Sequence, residues 1–408
     1  MPNLYNKSKI QRKFLSNKKN KTSEKVFTIL YRDKKTNARV GKLITKKGEI
    51  ITPFFMPVAT KAAVKHINSK RLEEIGVEAV ISNALILHLR PGEKTIKKMS
   101  GIGKFMNFSG INATDSGGFQ MYSNSIYIDS NDNGVYFKNP FSGEKLFISP
   151  EKDMQIQLDI GSEIAMCLDS MPLYNNSKKG IEESVKKTIL WAKRCKIYHD
   201  KMQKKISRQK RQLLFSISQG GVYPDLREKC SSELLKMNFD GYAIGGIALP
   251  ESCYNGNMEN VKKQEHDAIR VHKKVVAEDK IIYVMGEGDP IWLLEAVSLG
   301  CDMFDSRYPT QAARRGTLLT SSGKMKILNK KYEYDKKSID PNCECFVCKN
   351  YSRAYIRSLL KEEESVGREL ASYHNLYYMQ RLIEEIREAI KKGKFLDFKN
   401  KIKKAYGK

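Results

Sequence analysis

The chain has no run of some eighteen apolar residues, the length a helix needs to cross a bilayer, so nothing in it is expected to span a membrane. No apolar segment lies near Met1, which argues against a secretory leader and for a cytoplasmic protein. Acidic residues are scarce beside basic ones, 46 against 73, a formal charge of +27. That imbalance favours a polyanionic partner, nucleic acid above all, with a lysine-rich background composition as the alternative. Eight cysteines in 408 residues, three of them bunched near the C-terminus, do not resemble a disulfide framework. They fit a reducing compartment and one metal site. The apolar run PFFMPVAT contains no histidine, which removes the metal ligands that a zinc amidohydrolase barrel carries on its first strand.

A 40% hydrophobic and 29% charged composition describes a globular chain able to bury a large core. Residues 1–25 hold eight Lys/Arg and one Glu and read as a flexible basic arm, Lys-rich where an organelle-targeting peptide would be Arg-rich. Beyond it, apolar β-branched runs recur at Pro53–Thr60, Val77–Ala84, Ile111–Phe119, Glu163–Asp169, Leu213–Gly221, Gly241–Ala248, Lys280–Gly288 and Cys301–Arg307, with helical spacing between most of them. Such alternation implies a parallel sheet covered by helices. Eight units in this length predict an α/β fold, a closed (β/α)8 TIM barrel, with a doubly wound open sheet as the alternative. The domain reading is a basic arm at 1–25, a barrel with N-terminal strands at 26–335, a zinc-binding helical subdomain at 336–400 and a basic tail at 401–408.

Polar residues collect at the C-terminal ends of these runs: Asp115, Asp169, Gln219, Gly245-Gly246, Met285-Gly286 and Asp305. In a barrel those ends converge on one mouth. The stretch from Gly300 to Gly316 is the centre of the pattern, a short apolar strand ending in Asp305 and opening into a loop with Arg314 and Arg315. A carboxylate there suits attack on a polyanionic substrate, although strand-end Asp residues also serve as turn or cap residues. Cys343-x-Cys345-x2-Cys348 and His374 have the composition of a closed, structural zinc site, one per chain. His374 is expected to begin a helix with an apolar stripe at Leu376, Met379, Ile383, Ile386 and Ile390, ending at Gly393.

The segments Thr114–Gln120, Gln219–Tyr223, Gly245–Ala248, Val284–Gly286 and Asp302–Asp305, with the Cys343-to-His374 cluster, make the chain similar to the tRNA-guanine transglycosylases, of bacterial-like type, from about Phe54 to Phe398. The resemblance implies exchange of guanine at anticodon position 34 of G-U-N tRNAs for a 7-deazaguanine, through a covalent enzyme–tRNA intermediate. It implies Asp305 as nucleophile and Asp115 as general acid/base, the two-carboxylate logic of a retaining displacement. Asp169, Gln219 and the backbone near Gly245 and Gly246 would read the base edge. Phe119 and Met285 would sandwich the ring, core packing being their plainer reading.

Met171 and Leu249 match the positions that set the size of the 7-substituent. Their bulk predicts a small base such as the 7-aminomethyl form, with queuine kept open by methionine's flexibility. Beside these two positions, two further departures from the family pattern stand out. Gln311 occupies the place of an RNA-contacting arginine, leaving Arg314 with Arg315 or Arg307 as substitutes for the anticodon loop. Asn83 is retained beside the less polar Ala84-Leu85-Ile86-Leu87, which bears on ribose contacts. The zinc subdomain suggests a homodimer, with Tyr351 and Tyr355 either at its interface or packed on their own barrel. A non-catalytic tRNA-binding subunit would be expected to lose Asp305, and a D-loop-modifying relative would carry a further C-terminal domain.

Overall fold

The computed structural model describes residues 25–118, 121, 126–171, 177–247 and 258–407. Nearly all of the basic arm, together with Phe119 and Leu249, lies outside them. Three strands, β1 (Phe27–Arg32), β2 (Arg39–Thr45) and β3 (Gly48–Thr52), form an antiparallel sheet. The barrel begins with β4 (Phe54–Pro57), β5 (Ala79–Asn83) and β6 (Ile111–Asp115). An antiparallel excursion of β7 (Tyr127–Asn131), β8 (Gly134–Lys138) and β9 (Lys145–Ile148) follows β6. The barrel continues with β10 (Ile164–Met166), β11 (Leu213–Ser218), β12 (Gly241–Ile244), β13 (Ile281–Val284) and β14 (Met303–Ser306).

The eight barrel strands are hydrogen-bonded in the order β4-β14-β13-β12-β11-β10-β6-β5, every pair parallel. A parallel bridge between Val58 and Ile81 closes the ring, with the Ala59 N–H donating to the Ile81 carbonyl at 2.7 Å. Each of the eight runs expected from the sequence contributes one strand. The period-two alternation sorts their side chains into two cores. Phe54, Met56, Ile81, Ile111, Phe215, Ile217 and Tyr283 fill the lumen. Phe55, Val80, Leu214 and Phe304 face outward under helices with Trp191 and Leu293.

Phe27, Leu43 and Ile50 of the first sheet join the lumen core, so that sheet plugs the N-terminal end of the barrel. A fully buried ion pair fastens the plug: Arg39 Nε and Nη2 donate to Asp302 at 2.9 and 2.6 Å. The same guanidinium donates to the carbonyls of Glu278 and Lys280, both at 2.6 Å, so its charge and its donors are satisfied together. Asp302 immediately precedes β14 and Asp305 lies near its far end, about 10 Å of rise away, so the two serve opposite ends of the barrel.

After β14 come β15 (Thr317–Thr320) and β16 (Gly323–Lys326), a hairpin, and the helices Phe346–Asn350, Arg353–Lys361, Ser365–Lys391 and Phe395–Tyr406. His374 does not begin its helix, which starts nine residues earlier at Ser365. The start carries no local cue, because Glu364 at the cap makes no side-chain cap bond and the turn before it rests on Glu363 at φ 57°. The expected end holds, with Gly393 left-handed at φ 66°. The helix serves two masters: its first half carries His374, and its second half covers β4, where Gln380 reaches the Phe55 carbonyl and Arg387 the carbonyls of Pro53 and Ile51. The last helix passes position 401 without a break, so the basic residues up to Tyr406 ride on a helix. Among the described residues no helix is long and apolar enough to cross a membrane.

Candidate active site

Asp305 stands near the C-terminal end of β14. Its Oδ1 accepts the Tyr283 hydroxyl at 2.5 Å and the Gly286 N–H at 2.9 Å, while no described donor reaches Oδ2. Tyr283 projects into the lumen from the adjacent strand β13, and Gly286 belongs to the turn that follows it. Burial pushes the Asp305 carboxyl above its ordinary range, and these two hydrogen bonds pull against it by favouring the anion. One oxygen is therefore held and the other is free.

Asp115 ends β6 and lies in register with Asn83 at the end of β5. The Asn83 Nδ2 donates to Asp115 Oδ1 at 2.8 Å, and the Gly117 N–H reaches the same oxygen at 2.9 Å. Asn83 Oδ1 meanwhile accepts the Ile86 N–H at 2.8 Å, capping the helix Ala84–Leu89 and fixing the amide's orientation. Burial is the main cause that raises Asp115 to about 7; the charges of Asp305 and Asp169 add to it, and the Gly117 and Asn83 hydrogen bonds oppose it. Asp115 thus feels the fields of two other carboxyl groups, Asp305 and Asp169, and its titration is poised near neutral pH.

Asp169, just past β10, is buried and raised to about 6, chiefly by desolvation. Its Oδ2 accepts the Gln219 Nε2 at 2.6 Å and its Oδ1 the Ser116 hydroxyl at 3.4 Å. The glycines around this pair are there for space. A Cβ on Gly118 would lie 2.4 Å from Asp169 Oδ1, and one on Gly246 would lie 2.6 Å from Gln219 Oε1. Gly246 is also left-handed at φ 69°, a conformation an L side chain rarely adopts. Gln219 Oε1 is buried without a hydrogen-bond partner among the described residues, an acceptor the protein leaves for something else.

Met285 is half-buried against the lumen core and Met171 half-buried beside the Asp169 loop. The Gly245 N–H is committed to the Ser218 carbonyl at 3.0 Å. Past Asp305, Gln311 and Arg314 are half-buried, whereas Arg307 and Arg315 are exposed. Arg314 Nη1 has no hydrogen-bond partner among the described residues, and burial with the nearby charges of Arg315, Arg368 and Arg307 lowers the pKa of Arg314. Tyr283 was not singled out in the sequence, where it reads as one more apolar member of the run Lys280–Gly288.

The second cluster lies behind the β15–β16 hairpin. The donor atoms of Cys343, Cys345, Cys348 and His374 all fall within 4.8 Å of one another. His374 Nδ1 sits 3.8, 3.6 and 3.4 Å from the sulfurs of Cys343, Cys345 and Cys348. Its Nε2 faces the Leu319 carbonyl at 2.8 Å, which holds the proton on Nε2 and turns the Nδ1 lone pair toward the thiols. Such a set can bind a metal ion.

The family whose profile matches residues 33–408 is described as queuine tRNA-ribosyltransferase. Queuine tRNA-ribosyltransferases of Lysinibacillus sphaericus and Halothermothrix orenii are each 42% identical over 93% of this chain, covering 96% and 97% of those proteins. That of Fusobacterium nucleatum is 43% identical over 93% of the chain and 98% of its own length.

Proposed function

Since the chain belongs to the queuine tRNA-ribosyltransferase family, a group of pentosyltransferases, we propose that it exchanges guanine 34 of G-U-N tRNAs by two displacements at C1′ of the ribose. Asp305, through its free Oδ2, attacks the sugar and forms the glycosyl–enzyme bond as guanine leaves. Asp115 gives a proton to the departing base and takes one from the incoming base. The observation that carries this reading is that Asp115 lies close enough to Asp305 to feel its charge: burial and neighbouring anions hold Asp115 near 7, while a hydroxyl and an amide favour the anion of the nucleophile. Asp169 accepts the donors of the base's amide edge. Gln219 Oε1, the acceptor without a partner, faces a further N–H, and Nε2 keeps a second hydrogen for the O6 side. Phe119 and Met285 enclose the ring, and Arg314 with Arg315, Arg307 and Gln311 meets the anticodon loop.

The pH dependence of the first displacement tests Asp115. A carboxyl raised to about 7 is protonated below that value, so glycosyl–enzyme formation should fall as pH rises through 7. Asn83→Ala removes a bond that stabilises the anion, so this falling limb should move to higher pH. Single-turnover rates from pH 5.5 to 9 check it; a limb shifted to lower pH would take the proton-donor role from Asp115.

For the incoming base, the bulk of Met171 and Leu249 supports a 7-deazaguanine with a small substituent such as aminomethyl. Leu249→Gly should admit queuine, raising its incorporation by about tenfold, the discrimination expected for a few methylenes in a pocket. Equal queuine incorporation by both proteins would refute the size reading.

We assign the metal as one structural zinc. Tetrahedral zinc with Zn–S near 2.3 Å and Zn–N near 2.0 Å gives a sulfur–nitrogen edge of about 3.5 Å. The three separations of 3.4 to 3.8 Å bracket that value. Four protein ligands leave no position for water, so the ion shapes the subdomain and takes no part in the displacement. Homodimerisation is supported by the stacked Tyr351 and Tyr355, 5.5 Å apart at 18°, with Tyr355 46% exposed. We place the enzyme in the cytoplasm, and divide the work between a catalytic unit at 26–335 and a metal-bearing unit at 336–400.

A further inference from the structure

Many of the chain's surface cations are neutralised in place. Lys70, Arg71, Lys236 and Arg381 each pair with a carboxylate one helical turn away. Lys61 and Arg90 are not. Among the described residues neither has an ion pair or a side-chain hydrogen bond, and both rest against the ring of Phe141. The Arg90 guanidinium carbon is 4.1 Å from the ring centroid and Lys61 Nζ 5.5 Å. A carboxylate partner cancels a cation's charge, whereas an aromatic face restrains the cation by its quadrupole and leaves the charge available.

These residues come from three loops at the same end of the barrel. Lys61 follows β4. Arg90 ends the helix Ala84–Leu89, whose cap Asn83 also binds Asp115. Phe141 lies in the turn between β8 and β9, in the excursion after β6. The strands β14, β4, β5 and β6 are consecutive around the ring, and Arg307, Arg314 and Arg315 follow β14. Cations without an ion pair among the described residues thus occupy successive loops from the strand of Asp305 toward the strand of Asp115. His66, on the β4 loop, has its pKa lowered by burial and then by the charge of Arg314, so that loop lies near the helix after β14.

We propose that Lys61, Arg90 and Phe141 form a second phosphate-contact site for the tRNA, gripping the backbone on the side of the reacting nucleotide away from Arg314. It rests on the tRNA reading above and adds the track the strand follows across the mouth. Phosphate is the ligand chemistry: a planar guanidinium and an ammonium, both restrained by one ring, present several N–H donors to its oxygens. Phe141 supplies no charge; it holds the two cations together against their mutual repulsion.

The test is steady-state incorporation of labelled guanine into full-length G-U-N tRNA by the metal-replete protein, at several salt concentrations. Arg90→Ala and Lys61→Ala should each raise KM for tRNA about 3- to 10-fold and flatten the dependence of log KM on log salt by about 0.7, the loss of one single-strand phosphate contact. The KM for guanine and kcat should not move. Arg90→Lys should recover most of the loss, and Phe141→Leu should give a smaller rise with the full salt slope. An unchanged tRNA KM in the Arg90→Ala variant overturns the site while leaving the exchange reaction standing. A raised KM that tracks a change in sedimentation assigns the patch to a subunit contact and also overturns it. No labelling by the unmodified protein would bring down the reaction itself.

Discussion

Asp305→Asn should lower incorporation of labelled guanine into a G-U-N tRNA by at least about 1,000-fold, the scale on which enzymes lose kcat when a covalent nucleophile is removed. The same substitution should not lower thermal stability. The carboxyl is raised by burial, so its charged form is disfavoured in the folded protein relative to the unfolded chain. A group of that kind stabilises the fold at low pH and loses that contribution as pH rises through its folded value. At neutral pH the neutral amide therefore removes a cost, while its oxygen can still accept the Tyr283 hydroxyl and the Gly286 N–H. Loss of exchange together with an equal or higher Tm is the expected pair of results. Label entering tRNA with both proteins would remove Asp305 from its role, and a lower Tm in the variant would mean that the anion supports the fold. Tyr283→Phe should fall between the two, because it frees Asp305 of one hydrogen bond without removing the attacking oxygen.

The barrel was legible because parallel strands covered on both faces are near-continuous apolar runs, as Ile164–Met166 and Ile281–Val284 are. The site was legible for a related reason: the carboxylates Asp115, Asp169 and Asp305, with Gln219, fall at or just past the C-terminal ends of their strands. What the sequence concealed was reach. Nothing near Arg39 points to Asp302, 263 positions away, and nothing in the run Lys280–Gly288 distinguishes Tyr283 from a packing residue. The bond from Asn83 to Asp115 requires two strands to be neighbours in register, which the pairing of β5 with β6 alone establishes. The excursion β7–β9 is half-exposed, so its strands lack the continuous apolar character that marked the others. The start of the His374 helix was missed because no capping side chain announces it.

Stripping the metal is expected to have the largest effect on stability. A structural zinc held by three thiolates and an imidazole contributes on the order of 10 kcal/mol at neutral pH, comparable with the whole stability of a domain. Removal with a strong chelator, or His374→Ala, should therefore release one zinc per chain and lower Tm by tens of degrees. The damage should reach catalysis through a short path. His374 Nε2 holds the Leu319 carbonyl at 2.8 Å, and the adjacent Asn375 holds the Leu319 N–H at 2.9 Å, the Thr317 carbonyl at 3.0 Å and the Pro309 carbonyl at 2.9 Å. Pro309 lies four residues after Asp305 and opens the helix that carries Arg314. Asn375→Ala separates the two effects: zinc content should stay at one per chain while KM for tRNA rises, because Arg314 loses its footing and the ligands do not. Freshly purified protein without tightly held zinc, or stripped protein with an unchanged Tm, would refute the structural assignment. An Asn375→Ala variant with wild-type kinetics would cut the path from the metal to the RNA-facing helix.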